Sequence, residues 1–95
     1  MDIIISKYGT TFTSEKDTKS LISDILNFLK ENETIVIDFN EIQLMTTTAA
    51  KSILQIISDT YGYENIFKKV IFKNVTSDMK IIIATAVDGL EKKQK

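Results

Sequence analysis

Apolar and polar residues follow each other in short blocks along the chain, and the spacing within each block predicts a strand or a helix. The β-branched segment 2–7, DIIISK, predicts a strand that leads into a turn at Gly9, and residues 11–13 predict a second short strand. Residues 34–39, TIVIDF, are almost continuously apolar, which is typical of a central strand covered on both faces. Residues 70–74, VIFKN, predict a further strand.

Two helices are predicted between these strands from apolar residues three and four positions apart. The first has Ser14 as its expected N-cap, with Asp17 as capping-box partner, and ends near Glu31. The second begins within the threonine run 46–48 and ends before Gly62. The apolar faces are Leu21, Ile22, Ile25, Phe28 and Leu29 in the first helix, and Ala49, Ala50, Ile53, Leu54, Ile56 and Ile57 in the second.

A third helix completes the expected fold. Thr76 or Ser77 is its N-cap, and apolar residues recur from Met79 to Leu90. The run 81–84 is rich in isoleucine, so a strand remains an alternative there. Strands that alternate with helices predict an α/β fold with a small, mostly parallel sheet of three to four strands and about three helices.

Composition limits both the size of the protein and its chemistry. The 95 residues carry a formal net charge of -1, which predicts one small domain, 1–95, with a disordered tail at 91–95. The chain contains no Cys and no His, and all 12 of its basic residues are Lys. A thiolate or imidazole metal site, a Cys or His nucleophile and a bidentate Arg site for phosphate are therefore excluded. We expect neither a metal nor a cofactor.

Charge and hydropathy also bear on partners and location. The 12 Lys nearly balance the 13 acidic residues, which argues against nucleic-acid binding. The apolar runs are far shorter than the ~20 residues that span a bilayer, and no signal-peptide core follows Met1. We expect a cytoplasmic protein that does not contact the membrane.

Polar residues gather after the expected central strand and at the start of the second helix. Ligands of open α/β sheets bind at the carboxyl ends of strands, and a helix N-terminus favours anions. The alternative is structural, with one threonine capping the helix and Asp38 accepting hydrogen bonds from the loop 40–45. The candidate binding residues are Asp38, Asn40, Glu41, Thr46, Thr47, Thr48 and Lys51.

Residues 34–54 also carry a resemblance to a known family. They contain an apolar strand ending in Asp-Phe, a loop with Ile42, then Leu44-Met45 and a run of small hydroxyl residues that opens a helix. This pattern resembles the STAS domain of sulfate transporters and anti-sigma factor antagonists, and in particular the bacterial STAS-like family of unknown function. The early residues Tyr8-Gly9, Phe12 and Ser14 also match that branch.

In anti-sigma factor antagonists the helix start reads Asp-Ser-Ser-Gly, and the second serine is phosphorylated. The corresponding residues here are Thr46, Thr47, Thr48 and Ala49. The resemblance therefore implies Thr48 as the first candidate for phosphorylation and Thr47 as the second. It also implies a non-enzymatic regulatory module that binds a protein partner, a histidine-kinase-like ATPase, and switches partners under the control of phosphorylation.

Two other functions remain open from the sequence. One is a small ligand-binding domain or enzyme that uses Asp38 and the helix start at 46–48, although the chain has no Gly-rich phosphate loop. The other is a homo-oligomer that associates through apolar surface, with Tyr61, Tyr63 and Phe67 as its contacts.

Overall fold

A computed structural model gives the fold of residues 2–90. Three-residue 3-10 turns occupy Ile5–Lys7, Lys16–Thr18 and Tyr63–Asn65. The predicted tail 91–95 lies outside the described residues. The strands and α-helices of the described part are β1 Asp2–Ile4, β2 Thr11–Phe12, α1 Lys19–Glu31, β3 Ile35–Asp38, β4 Leu44–Met45, α2 Thr47–Tyr61, α3 Ile66–Lys69, β5 Val70–Lys73 and α4 Ser77–Asp88.

The strands of residues 2–90 form two parallel sheets. β3 lies between β1 and β5 in a sheet of three strands, and β2 pairs with β4 in a sheet of two. In the larger sheet Ile37 of β3 is the register partner of both Ile3 and Phe72. The predicted α/β class, the parallel pairing and the central position of the 34–39 strand are therefore confirmed.

One hydrophobic core lies on a single face of the larger sheet. Ile37 of the sheet, Leu21 of α1, Leu54 of α2 and Ile83 of α4 line the same residual cavity of about 10 Å³. Because β1, β3 and β5 follow one another in one direction across the sheet, right-handed crossovers bring their helices to the same face. The alternate residues of β3 are only half-buried. The prediction that this strand is covered on both faces is therefore wrong.

The first strand and the loop after β3 also differ from the prediction. The predicted strand 2–7 ends at Ile4, because Ile5–Lys7 forms a 3-10 turn closed by the Tyr8 N–H donating to the Ile5 carbonyl at 2.8 Å. The Tyr8 hydroxyl donates to Asp24 of α1, and this bond raises the pKa of Tyr8 to about 12. The predicted loop 40–45 contains β4, whose partner β2 precedes it by more than thirty residues.

The prediction that Ser14 caps the first helix is wrong, because the helix begins about one turn later than expected. The Asp17 carboxylate accepts from the Ser14 N–H at 3.3 Å and from the Thr13 N–H at 3.0 Å, but a 3-10 turn follows and α1 begins only at Lys19. The buried Thr18 hydroxyl donates to the Glu15 carbonyl at 2.7 Å and so tightens this turn.

The later helix boundaries agree better with the sequence. Thr76 caps α4 by accepting from the Met79 N–H at 3.2 Å, and residues 81–84 are helical. Gly62 ends α2 with φ of 99°, a backbone conformation that favours glycine. α3 was not predicted, because four residues are too short to show a helical repeat.

Candidate functional site

Thr46 fixes the start of α2 against the small sheet. Its extended backbone ends β4, and its hydroxyl accepts from the Ala49 N–H at 3.2 Å as an N-cap. The same hydroxyl donates to the Thr13 carbonyl at 3.2 Å, and the Thr46 N–H donates to the Phe12 carbonyl at 2.9 Å. The Thr46 hydroxyl therefore makes structural hydrogen bonds that hold the helix in place, as the structural alternative for the threonine run 46–48 predicted.

Thr47 and Thr48 follow in the first turn of α2 and differ in exposure. Thr47 is half-buried, whereas Thr48 is exposed, and the Thr48 carbonyl accepts from the Ser52 hydroxyl at 3.0 Å. The first N–H groups of a helix lack partners within the helix, and the helix dipole favours negative charge beside them. A negatively charged group on Thr48 would therefore lie in a favourable local field.

The start of α4 provides an internal comparison. Thr76 is its N-cap, and Ser77, Asp78 and Met79 follow, so Asp78 holds the helix position that Thr48 holds in α2. Both capping threonines accept from the N–H three residues later at 3.2 Å. The fold thus already contains a carboxylate at the position equivalent to Thr48.

An open groove of about 460 Å³ lies beside Thr48, between α2 and the segment that contains α1. Lys19 and Lys51 line it from the two sides, and the half-buried Ile22 and Ile56 give it an apolar lining. Thr48 and Lys51 are three residues apart in a helix, so they share a face. The full lining is Glu15, Lys19, Ile22, Thr48, Lys51, Ser52, Gln55 and Ile56.

Six of these lining residues were not among the sequence candidates: Glu15, Lys19, Ile22, Ser52, Gln55 and Ile56. A helical pattern indicates which residues share a face but not which helix lies opposite, so the sequence could not pair α1 with α2 here. The position of Ile22 and Ile56 at the margins of the two apolar faces is a signal, because marginal apolar residues are only partly covered.

Asp38 lies at the carboxyl end of β3, as predicted, but its carboxylate is engaged by neighbouring loops. Its Oδ1 accepts from the Asn74 side-chain amide at 2.9 Å and from the Asn40 N–H at 2.8 Å. The bond from Asn74, then that from Asn40 and the charge of Lys73, hold the pKa of Asp38 below its usual range. Asn74 and Glu41 adopt left-handed backbone conformations, with φ of 56° and 66°. Asp38 therefore fastens two sharply turning loops together.

The candidate residues thus fall into two groups by their contacts. Asp38 is joined to Asn40, whereas Thr48 and Lys51 line one groove. Asn40 and Glu41 are exposed in the loop after β3. In the described part of the chain no three acidic side chains are grouped so as to hold a metal ion. None of the helices between residues 2 and 90 is long and apolar enough to cross a membrane.

The sequence matches a known family whose description is consistent with the α/β fold. The family model described as a STAS-like domain of unknown function matches residues 17–80, which include Asp38 and every groove residue except Glu15. No curated protein and no solved structure shows significant similarity to the chain. Since the match covers more than half of the sequence, the chain belongs to this STAS-like family.

Proposed function

From this family membership and the geometry at α2, we propose that the chain is a non-enzymatic regulatory module of the cytoplasm. It binds a protein partner at the groove between α1 and α2, and phosphorylation of Thr48 controls that binding. The observation that carries the proposal is the exposed Thr48 hydroxyl at a groove that combines two lysines with apolar side chains. The partner is a histidine-kinase-like ATPase, the class that the resemblance to anti-sigma factor antagonists implies.

The groove has the composition of a small contact surface. Ile22 and Ile56 give it apolar surface, and its charged lining is two lysines, Lys19 and Lys51, against one acidic residue, Glu15. Protein interfaces likewise combine apolar side chains, which lose water on binding, with polar groups around them. The two lysines favour a partner segment that presents a carboxylate beside an apolar side chain.

Phosphorylation of Thr48 would weaken binding of the partner and leave the fold unchanged. A phosphate on Thr48 adds about −1.5 to −2 charges at neutral pH. Within the groove this charge can pair with Lys51 and Lys19, so it competes with the partner's carboxylate and repels it. The helix N-terminus accommodates the same charge, as it does for Asp78 in α4.

The observations at Asp38 favour a binding module over an enzyme. Its carboxylate accepts two hydrogen bonds within the fold, and these lower its pKa. A general acid or base works best with a pKa near the working pH, and the shift at Asp38 is in the opposite direction. The Thr46 hydroxyl is likewise used in two structural bonds.

The test compares tagged wild-type chain with three variants, Thr48→Asp, Thr48→Ala and Ser77→Asp, in capture from lysate of the native cells. Ser77→Asp places the same charge in the first turn of α4 and is the matched control. We expect the wild type, Thr48→Ala and Ser77→Asp to capture a histidine-kinase-like ATPase, identified by mass spectrometry. Capture by Thr48→Asp should fall at least about ten-fold, or about 1.4 kcal/mol.

Three results would contradict the proposal. If Thr48→Asp is folded by circular dichroism and captures the ATPase like the wild type, the binding surface lies elsewhere. If Thr48→Asp unfolds, the hydroxyl is a structural group. If the wild type captures no such ATPase, the assigned partner class is wrong.

A further inference from the structure

β5 is an edge strand of the larger sheet in the described part of the chain. Its pairing with β3 runs from Val70 to Lys73, and the Lys73 carbonyl accepts from the Phe39 N–H at 2.9 Å. In a parallel pair only alternate residues direct their backbone groups at the neighbouring strand. Phe72, next to Lys73, therefore directs its N–H and carbonyl away from β3. Such an edge can pair with an added strand.

A second groove, of about 300 Å³, runs beside this edge between β5 and α4. Phe67 is 60% exposed, and its ring meets that of Phe72 edge-on with centroids 5.9 Å apart. The groove is lined by Phe67, Phe72, Val75, Lys80, Ile83 and Ala84. On the opposite face of the same strand, Ile71 is 53% exposed. Apolar surface is thus open on both faces of the edge.

The charge around the edge is positive, although the whole chain is slightly negative. Residues 67–84 contain four lysines and one acidic residue, Asp78, whereas the whole chain has 12 lysines and 13 acidic residues. Lys68, Lys73 and Lys80 are exposed. Lys73 reaches Asp2 at 3.7 Å and is the register partner of Asp38 in β3. The Lys73 and Asp2 side chains are about half exposed, so their ion pair contributes little and yields readily to another carboxylate. The surface is therefore complementary to an acidic partner.

We propose that the β5 edge and this groove bind an extended acidic segment of another protein, which adds to the sheet as a strand. The segment's backbone pairs with Phe72. Its apolar side chains enter the groove beside Phe67, and its acidic side chains, which alternate with them, meet Lys73 on the other face. This surface is distinct from the groove at Thr48, and the inference does not depend on the proposed phosphorylation.

The same charges disfavour a second copy of the chain at this edge. Two β5 strands paired in antiparallel fashion about Ile71 or Lys73 would place Lys73 of one copy opposite Lys69 or Lys73 of the other, and pairing about Phe72 would make the two Lys73 residues diagonal neighbours. Like charges placed opposite each other in a sheet are destabilising, and edge lysines are a common protection against self-pairing. An acidic strand meets no such repulsion.

The test uses a fluorescein-labelled heptapeptide, Glu-Ile-Glu-Val-Glu-Ile-Glu, and the full chain labelled with ¹⁵N. We expect the peptide to shift the amide resonances of residues 67–75 and 80–84 and to slow hydrogen exchange of the Phe72 N–H. Fluorescence anisotropy should show affinity at least about ten-fold weaker for Lys73→Glu and for Phe67→Ala. Lys30→Glu reverses an exposed charge at the end of α1 and should bind like the wild type.

Two control peptides separate the contributions. Replacing every Glu with Lys should abolish binding if charge complementarity is required, and replacing the central Val with Pro should abolish it if strand pairing is required. The proposal is overturned by equal binding of either control peptide, by a Kd weaker than about 1 mM for the acidic peptide, or by shifts confined to the α1–α2 groove. Dimerisation through β5 in sedimentation, or binding to phosphatidylserine vesicles in place of the peptide, would also overturn it.

Discussion

Replacing Thr46 with alanine tests how α2 is anchored. The substitution removes the N-cap bond from the Ala49 N–H, which contributes about 0.5–2 kcal/mol in comparable helices. It also removes the bond donated to the Thr13 carbonyl, for which a net contribution of about 0.5 kcal/mol is reasonable because Thr13 is exposed to water. We expect a total loss of about 1–2.5 kcal/mol in the free energy of unfolding.

The measurement is urea unfolding followed by circular dichroism, with the slope of the transition required to stay constant. Thr76→Ala is the matched control, because Thr76 caps α4 at the same 3.2 Å distance. Its loss should be about 1 kcal/mol, and the difference between the two variants measures the bond to Thr13. Thr48→Ala should change stability by less than about 0.5 kcal/mol. The anchoring argument fails if Thr46→Ala leaves the midpoint unchanged or if Thr48→Ala is equally destabilising.

Two further predictions concern the core and the loop after β3. Ile57→Ala removes a fully buried side chain of α2 and should lower the free energy of unfolding by about 2–5 kcal/mol. The control Lys51→Ala on the same helix should change it by less than about 0.5 kcal/mol. Equal urea midpoints for the two variants would refute the assignment of the buried and exposed faces. The folded state lowers the pKa of Asp38, so the stabilising effect of its carboxylate is complete above the ordinary Asp pKa of about 3.9 and is lost as pH falls through the folded-state value. Asp38→Asn should therefore flatten the decline of thermal stability below about pH 4. The prediction is contradicted if the thermal midpoint of Asp38→Asn falls with pH as steeply as that of the wild type or of the exposed control Glu31→Gln.

Local sequence determined most of the secondary structure. Thr46 and Thr76 cap their helices through bonds to the residue three positions later, and Gly62 supplies the positive φ that ends α2. These features involve only a few consecutive residues, so composition and spacing suffice to find them. Because local sequence carries only such short-range signals, it failed at the start of the first helix, where the turn Lys16–Thr18 with its buried Thr18 depends on packing against the rest of the chain.

The resemblance found in residues 34–54 led to the correct family, but the sequence did not predict which candidate residues lie together in the structure. The sequence predicted one site from Asp38, at the carboxyl end of the central strand, and from the threonine run after the following loop. In the structure Asp38 is bonded across 36 residues to Asn74, while Thr48 shares a groove with Lys19 and Ile22 of the α1 segment. Such contacts join segments far apart in the chain, and no local pattern encodes them.

The chain's own sequence therefore determined most of the strands and helices and the caps of α2 and α4, because those are short-range properties of the backbone and its nearest side chains. Only the tertiary structure decided that the helices cover one face of the sheet, that β2 pairs with β4, and that within residues 2–90 β5 lies at the edge of the larger sheet beside α4. Each of these follows from the order of strands and the direction of the crossovers, which together determine which surfaces are buried and which remain available for a partner.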